Sequence, residues 1–283
     1  MVTDAAWIDV DKDGRQDLIV CGEWMKIHVL SVKNGKLTDL SDQHFPDTLR
    51  GWWNRLHPAD MDGDGDIDLV AGNWGLNSPM KASKSEPISV FYNDFDNNGS
   101  VDPLICYYIG GVSFPMASRD EMTDQIVSLR QKFPTYDSYA NMTIADILTP
   151  EQLKSAKQLS TNHFETTYFE NHNGIFKAKR LPLQANFFPV FAISTGDFDR
   201  DGKQDILLGG NTDHARIKIG KMDAGYGALL KGDGKGNFEY VPQLKSGLKV
   251  RGCTRDIINV KGNNNRDRVI FAINNQATVT YTY

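Results

Sequence analysis

The stretch DMDGDGDIDLVAGN, residues 60–73, begins with aspartates on alternate positions: Asp60, Asp62, Asp64, Asp66 and Asp68. Carboxylates this close repel one another, and each raises the pKa of its neighbours unless a cation neutralises them. The same pattern, D-x-D-x-[DN]-G-x-x-D followed by an apolar run, starts again at Asp9, Asp94 and Asp197. Four copies argue against chance, and the pattern predicts a repeated cation-binding loop.

The spacing fits calcium. Calcium takes six to eight oxygen ligands at about 2.3–2.6 Å, and side chains at positions 1, 3 and 5 of a tight loop converge with the position 7 carbonyl. A glycine stands at position 6 of every copy, where the chain must turn with positive φ. With the carboxylate at position 9, up to four Ca²⁺ ions are predicted, and their ligands are Asp9, Asp11, Asp13, Arg15 and Asp17; Asp60, Asp62, Asp64, Asp66 and Asp68; Asp94, Asp96, Asn98, Ser100 and Asp102; and Asp197, Asp199, Asp201, Lys203 and Asp205.

These loops are not EF-hands, because position 12 carries a residue that cannot bind metal: Val20, Ala71, Ile105 or Leu208. The residues after position 9 form short apolar runs, which predict β-strands instead of flanking helices. The alternative is a metal-free Asp/Gly turn, since both residue types tolerate turn dihedrals. Such a turn does not need carboxylates at positions 1, 3, 5 and 9 together, so calcium is favoured. The Asp94 loop has Asn98 at position 5 and is expected to bind more weakly.

The composition is that of a soluble globular protein, with 40% hydrophobic and 24% charged residues and no apolar run near the ~18 residues of a membrane span. Four bound Ca²⁺ would change the formal charge from −5 to +3, so the acidity is assigned to metal binding. No cluster of Lys and Arg with interleaved aromatic residues indicates nucleic-acid binding. Cys21, Cys106 and Cys253 are distant and odd in number, which favours buried free thiols over a disulfide framework.

A repeated unit of short strands and turns predicts a β-propeller or a related β-array. Each unit has an apolar strand before the loop, a second strand after it, and a later hairpin that supplies two more. The hairpins are KNGKL at Asn34, NHNGIF at Asn171 and GDGKGNF at Gly232.

A fifth unit is predicted at NVKGNNNRDRVIFAIN. Asn259, Asn263 and Asp267 fall at positions 1, 5 and 9, but Lys261 stands at position 3. Its ammonium group would repel Ca²⁺ or replace it, so this loop is expected to be metal-free.

The long gap between the third and fourth motifs predicts a helical insertion at about residues 115–163. Ser118 and Glu121 form a capping box, and Thr149 followed by Pro150 starts a second helix. An apolar stripe lies at helical spacing and is expected to pack in a core: Met122, Ile126, Leu129 and Phe133.

The loops resemble FG-GAP/VCBS repeats, the calcium-binding blades of integrin α-subunit propellers. The segments GNWGLNSPMKASKSEP, KFPTYDSYANMTIADI and LLKGDGKGNFEYVP are similar to bacterial FG-GAP/VCBS-repeat proteins related to cartilage acidic protein. The resemblance runs through nearly the whole chain. It implies an all-β propeller, structural calcium, an exported or surface-exposed location, and no established catalytic residues.

The resemblance also implies seven blades, whereas the sequence shows five units at most. The chain is therefore expected to be an incomplete propeller from a larger protein, or a variant ring. The N-terminal MVTDAAWIDV lacks the basic and apolar regions of a signal peptide and enters a predicted strand at once. This suggests a chain cut from a longer precursor.

The first functional hypothesis is a calcium-stabilised binding or scaffold module outside the cytoplasm, at a bacterial cell surface or outer membrane or secreted. Its ligand would be a glycan or a protein. Tryptophan faces stack on sugars while Asn and Arg supply hydrogen bonds. The candidate contacts in GWWNRLH and GNWGLN are Trp52, Trp53, Asn54, Arg55, Trp74 and Asn77. The alternative, that these tryptophans wedge between blades, is favoured because large aromatics contribute most through burial.

The second hypothesis is a calcium-dependent polysaccharide lyase or glycosidase. It needs a base or a pair of carboxylates in a cleft away from the metal loops. The sequence has no G-x-S-x-G motif, and the histidines show no metal or triad spacing: His28, His44, His57, His163, His172 and His214. A protein without enzymatic activity is therefore expected.

Overall fold

The structure, a computed structural model, describes residues 1–33, 35–213, 218–262 and 266–283. Three residues that the sequence singles out lie outside these ranges: Asn34 in the first predicted hairpin, His214, and Asn263 in the fifth loop. Strands make up 41% of the chain and helices 12%, which confirms the predicted all-β class.

The strands are numbered in chain order: β1 (Val2–Ile8), β2 (Asp17–Met25), β3 (His28–Lys33), β4 (Lys36–Asp39), β5 (Gly51–Trp52), β6 (Arg55–Ala59), β7 (Asp68–Gly72), β8 (Ile88–Asn93), β9 (Asp102–Ile109), β10 (Val112–Pro115), β11 (Lys157–Thr161), β12 (Thr167–His172), β13 (Ile175–Arg180), β14 (Val190–Gly196), β15 (Asp205–Gly210), β16 (Ala228–Gly232), β17 (Phe238–Val241), β18 (Thr254–Val260), β19 (Arg268–Ile273) and β20 (Val279–Thr282). The helices are short: α1 (Ser41–His44), α2 (Arg119–Gln125), α3 (Leu129–Lys132), α4 (Ile144–Ile147), α5 (Pro150–Ser155), α6 (Gln243–Ser246) and a 3-10 helix at Leu183–Asn186. Among the described residues, no helix combines the length and the apolar character needed to cross a membrane.

The described strands form five antiparallel sheets, and each begins with a hairpin built around one predicted motif. The first sheet has the order β1-β2-β3-β4, with β5 paired to β2; the second is β6-β7-β12-β13; the third is β10-β9-β8-β11; the fourth is β14-β15-β16-β17; and the fifth is β18-β19-β20. The predicted hairpins at Asn171 and Gly232 are the turns that join β12 to β13 and β16 to β17.

The chain divides into two compact units. The first consists of Met1–Pro79 and Phe164–Tyr283, and it contains the first, second, fourth and fifth sheets. The second consists of Met80–His163, with the third sheet and helices α2 to α5. Since β7 and β12 are neighbours in the second sheet, the second unit is inserted between adjacent strands of one sheet.

The insertion differs in extent from the helical segment predicted at residues 115–163. Its helices lie between Arg119 and Ser155, whereas Lys157–Thr161 forms β11 and pairs with β8. The sequence KQLST carries little apolar alternation, so its local pattern does not indicate a strand. This segment forms a strand because it pairs with the more apolar β8.

Successive side chains of a strand point to opposite faces of its sheet, and in the first unit these faces pack against neighbouring sheets. In the second sheet, Leu69 and Phe169 belong to a core shared with the first sheet, whereas Val70 and Tyr168 belong to a core shared with the fourth. A further core that includes Phe271 joins the fourth and fifth sheets. The first strands of these sheets are neighbours, with β1 beside β6, β6 beside β14, and β14 beside β18. Stacked antiparallel sheets with adjacent first strands are consistent with a β-propeller-like fold.

The second unit has its own core. The predicted stripe of Met122, Ile126, Leu129 and Phe133 is buried in it, together with Phe95 and Leu104. The stripe is divided between α2 and α3 because α2 ends at Gln125.

Both predicted helix starts are confirmed. Ser118 caps α2 in a capping box with Glu121, and Thr149 caps α5 with Pro150 in its first turn. The three cysteines are buried and unpaired, as predicted: Cys21, Cys106 and Cys253.

Candidate metal sites in the strand-connecting loops

The four acidic loops occupy the same place in four different sheets. Each joins the first strand to the second, and position 9 is the first residue of the second strand. The pairs that close the four hairpins are Ile8 with Asp17, Ala59 with Asp68, Asn93 with Asp102, and Gly196 with Asp205.

Each loop is folded around the carboxylate at position 1. The backbone N–H of the glycine at position 6 donates to that carboxylate at 2.8–3.1 Å in all four copies. The glycine has φ of 84–86°, so the predicted positive φ is confirmed. The side chain at position 5 accepts a hydrogen bond from the position 7 N–H at 2.7–3.0 Å. The backbone therefore holds the acidic side chains in one arrangement.

Three carboxylates converge in each loop, with one oxygen from each lying within 4.8 Å of the others. Two oxygens bound to one calcium ion are at most about 5 Å apart, because each lies about 2.3–2.6 Å from it. The sets are Asp9, Asp11 and Asp13; Asp60, Asp62 and Asp68; Asp94, Asp96 and Asp102; and Asp197, Asp199 and Asp205. The donor set is hard and anionic, and it fits a divalent cation that prefers oxygen ligands.

The structure thus brings together only part of each predicted ligand set. Positions 1, 3 and 9 converge in three loops, and position 5 lies outside those three sets. The first loop differs, since Asp13 at position 5 joins the set and Asp17 does not. One oxygen of Asp17 accepts from the Ser31 hydroxyl.

The carboxylate at position 9 also joins its loop to another element. One of its oxygens accepts from the position 2 N–H at 2.9–3.2 Å in every copy. The other accepts from a group that differs between loops: the Ser31 hydroxyl, the Asn171 N–H, the Gln125 side-chain amide or the Gly232 N–H. Three of these groups lie on the third strand of the sheet and one lies on α2. The third-strand hairpins are evident from the sequence, whereas these contacts are not.

The second loop is partly buried, and the lysine that pairs with it, Lys12, contacts Asp66 at 2.5 Å. Asp68 is fully buried, and burial raises its pKa to about 6, even though it accepts hydrogen bonds from Asn171, Met61 and Tyr168. Burial is also the main cause of the raised pKa of Asp62. In the described part of the chain, no ion pair reaches either of these carboxylates or Asp60. A divalent cation would supply the missing charge.

The metal-free protein should lose stability as the pH rises through 6. The folded-state pKa of Asp68 lies above the ordinary value of 3.8. Its contribution to the free energy of unfolding is therefore fully present below pH 3.8 and is lost as the carboxyl group ionises. The loss between pH 5 and pH 7 is about 1 kcal/mol, from linkage. Urea unfolding in chelator at both pH values measures it, with Asp68→Asn as the control. Equal pH dependence in the two proteins would contradict this assignment.

The fifth loop differs in register from the other four. Val260 pairs with Arg268, which makes the connection one residue shorter than the others. Asn259, predicted at position 1, lies inside β18, where its amide donates to the Thr195 carbonyl at 2.8 Å and accepts from Ser194. This residue joins β18 to β14 instead of facing the loop.

The predicted ligand-contact residues have different environments. Trp53 is fully buried in the core between the first and second sheets, and its indole N–H donates to the Met25 carbonyl at 3.1 Å. Trp52 is 8% exposed and makes edge contacts with Trp24, Trp74 and Phe164. These positions agree with the wedge alternative for Trp53, whose faces are covered.

The polar members of the predicted contact set are more accessible than Trp52 and Trp53. Arg55 is partly exposed and donates to Asp256 at 2.9 Å, and its Nε lies 3.6 Å from Asp4. Asn77 is exposed and donates to the Phe187 carbonyl at 3.3 Å. Asn54 is half-buried, and its buried side-chain nitrogen has no hydrogen-bond partner among the described residues.

Comparison with known proteins supports the repeat interpretation. Residues 9–71 match the family model described as FG-GAP-like repeat, a segment that contains the first and second acidic loops. No similar sequence was found among curated proteins, so the finer relation to cartilage acidic protein has no support from a relative. The chain therefore carries a segment similar to FG-GAP-like repeats within an all-β, β-propeller-like fold.

Proposed function

We propose that this protein is a calcium-stabilised recognition and scaffold module that acts outside the cytoplasm and binds a carbohydrate or protein ligand. The observation that carries the metal assignment is the set of Asp60, Asp62 and Asp68, which converge although none of the three makes an ion pair among the described residues. Bound calcium would supply charge neutralisation. The chain's own contribution is to fix the three carboxylates through the loop backbone and the third strand.

Calcium in these loops would stabilise the fold. Each loop closes the first hairpin of a sheet, so a bound ion would hold two strands together at their ends. Extracellular calcium is millimolar and fills even weak sites, which cytosolic calcium would not. The resemblance to FG-GAP/VCBS repeats supports the same location, at a bacterial cell surface or outer membrane or in secreted form.

A pocket of about 610 Å³ in the first unit is the ligand site that we propose. Its walls include Trp24, Phe45, Lys26, His28 and Arg50, which combine aromatic surface with hydrogen-bond donors. Such a lining suits a sugar ring or a polar peptide segment. These residues share no sequence motif, because they come from separate strands and a turn.

The backbone at Trp24 supports this choice. Its φ of 62° is in the left-handed region, which bulky residues rarely adopt and which is found more often at binding sites. Its ring contacts Trp52, with 4.9 Å between ring centroids, and so connects the pocket with the predicted aromatic contacts.

A binding screen against glycans and proteins, run with calcium and with chelator, tests the proposal. Wild-type protein should bind a ligand in calcium, and Trp24→Ala should weaken that binding at least tenfold. Trp7→Ala is the matched control, because Trp7 is 60% exposed on β1 and does not line the pocket. Release of a shortened sugar would favour the lyase or glycosidase alternative, and equal binding by both variants would move the ligand site elsewhere.

A further inference from the structure

The residue on the third strand that faces position 9 differs in charge between loops of the first unit. Leu30 pairs with Leu18, so the next residue, Ser31, faces Asp17. By the same register, Phe169 paired with Leu69 places Glu170 opposite Asp68, and Leu230 paired with Ile206 places Lys231 opposite Asp205. The facing residue is therefore neutral in the first loop, acidic in the second and basic in the fourth.

The hydrogen bonds confirm that Glu170 and Lys231 are equivalent positions. The residue after Glu170 is Asn171, whose N–H donates to Asp68 at 2.7 Å. The residue after Lys231 is Gly232, whose N–H donates to Asp205 at 2.9 Å. The two third strands thus meet their loops in the same way, and the difference between them lies in the charge of the preceding side chain.

Lys231 forms ion pairs with two carboxylates of the fourth loop. Its Nζ contacts Oδ2 of Asp199 and lies 2.8 Å from Oδ2 of Asp201. Asp199 belongs to the converging set with Asp197 and Asp205, so the ammonium group competes for a candidate metal ligand. The Lys231 side chain is 42% exposed, and its flexible stem allows the charge to swing into solvent.

Glu170 gives the second loop the opposite environment. Its side chain is 8% exposed and is held by Lys179 and by His172 at 2.6 Å. These partners fix a carboxylate beside the loop without placing a cation on Asp60, Asp62 or Asp68. In the described residues, two basic side chains contact a member of a converging set: Lys231 bonds to Asp199, and the exposed Arg15 has its Nε 3.5 Å from Asp13 in the first loop.

We propose that Lys231 is a built-in counter-cation of the fourth loop, which neutralises Asp199 and Asp201 in the metal-free protein and makes this loop the weakest calcium site of the first unit. The inference rests on the proposed calcium function. Calcium binding requires the ammonium group to leave Asp199, and an ammonium a few ångströms from a divalent ion opposes binding by about tenfold, even at the dielectric constant of water. The second loop has Glu170 at the equivalent position, and the ammonium group beside it, that of Lys12, bonds to Asp66, which is outside the converging set.

Calcium titration of the full-length chain by calorimetry tests the inference with Lys231→Met and Lys231→Glu. Lys231→Met should tighten one calcium site by about tenfold, and Lys231→Glu should tighten it further. Lys245→Met is the control, because it makes the same charge change at an exposed residue of α6. In an Asp199→Asn background, Lys231→Met should change calcium affinity less, because the competition for Asp199 is gone and only the charge repulsion remains.

Thermal melting supplies a second readout that does not need calcium. In chelator, Lys231→Met should melt below the wild type, because Asp199 and Asp201 lose their counter-charge, whereas in saturating calcium it should melt no lower. Calcium uptake by the wild type with unchanged affinities in both Lys231 variants would overturn the inference and leave the calcium function standing. Absence of calcium uptake by the wild type would overturn both.

Discussion

Asp62→Ala should lower the melting temperature of the calcium-loaded protein by about 5–10 °C and should not lower that of the chelated protein. When free calcium exceeds Kd a hundredfold, an occupied site adds ~2.7 kcal/mol to the free energy of unfolding. In a chain of this size, a change of 1 kcal/mol shifts the melting temperature by about 2–4 °C. Without metal, Asp62 is a carboxylate whose pKa burial raises, so its removal relieves repulsion. The effect should therefore depend on calcium.

Lys261→Ala is the control for this substitution. Lys261 lies in the fifth loop and is exposed, and that loop carries no converging carboxylate set among the described residues. Its replacement should leave both melting curves and the amount of bound calcium unchanged. Equal loss of calcium in the two variants would contradict the assignment of the second loop.

Trp53→Ala should reduce the free energy of unfolding by about 3–5 kcal/mol, which is typical for truncating a buried aromatic side chain. Trp53 is fully buried, packs edge-on against Phe169 with 5.9 Å between ring centroids, and donates to the Met25 carbonyl. Its ring also lies against Gly51, where an added Cβ would come within 2.6 Å of it. The truncation would leave a cavity in the core between the first and second sheets.

Urea unfolding of Trp53→Ala and Trp7→Ala measures this difference. Trp7 is 60% exposed, so its truncation should change the free energy of unfolding by less than about 1 kcal/mol. A small loss in Trp53→Ala, accompanied by loss of ligand binding, would assign Trp53 to recognition instead of packing.

The sequence predicts those features whose chemistry is local. The glycine at position 6, the carboxylates at positions 1 and 3, the strand after position 9 and the capping boxes at Ser118 and Thr149 all depend on neighbours within one turn or loop. Each was found where its pattern placed it.

The features that sequence analysis missed depend on residues far apart in the chain. Asp68 receives its hydrogen bond from Asn171, and the strands that bring them together are separated by the whole second unit. Lys231 on β16 reaches Asp199 in the loop that precedes β15, and Asn259 lies in β18, where it pairs with Val269 and its side chain bonds to β14. Local spacing carries no information about these pairings, which the sheet register decides.

Equilibrium dialysis of the purified chain against millimolar calcium, with the bound metal counted, tests the central claim most directly. The account predicts up to four ions per chain, with the Asp9 and Asp60 loops filling first and the Asp94 and Asp197 loops later, and a lower melting temperature once chelator removes them. A chain that takes up no calcium and melts at the same temperature in chelator would contradict it.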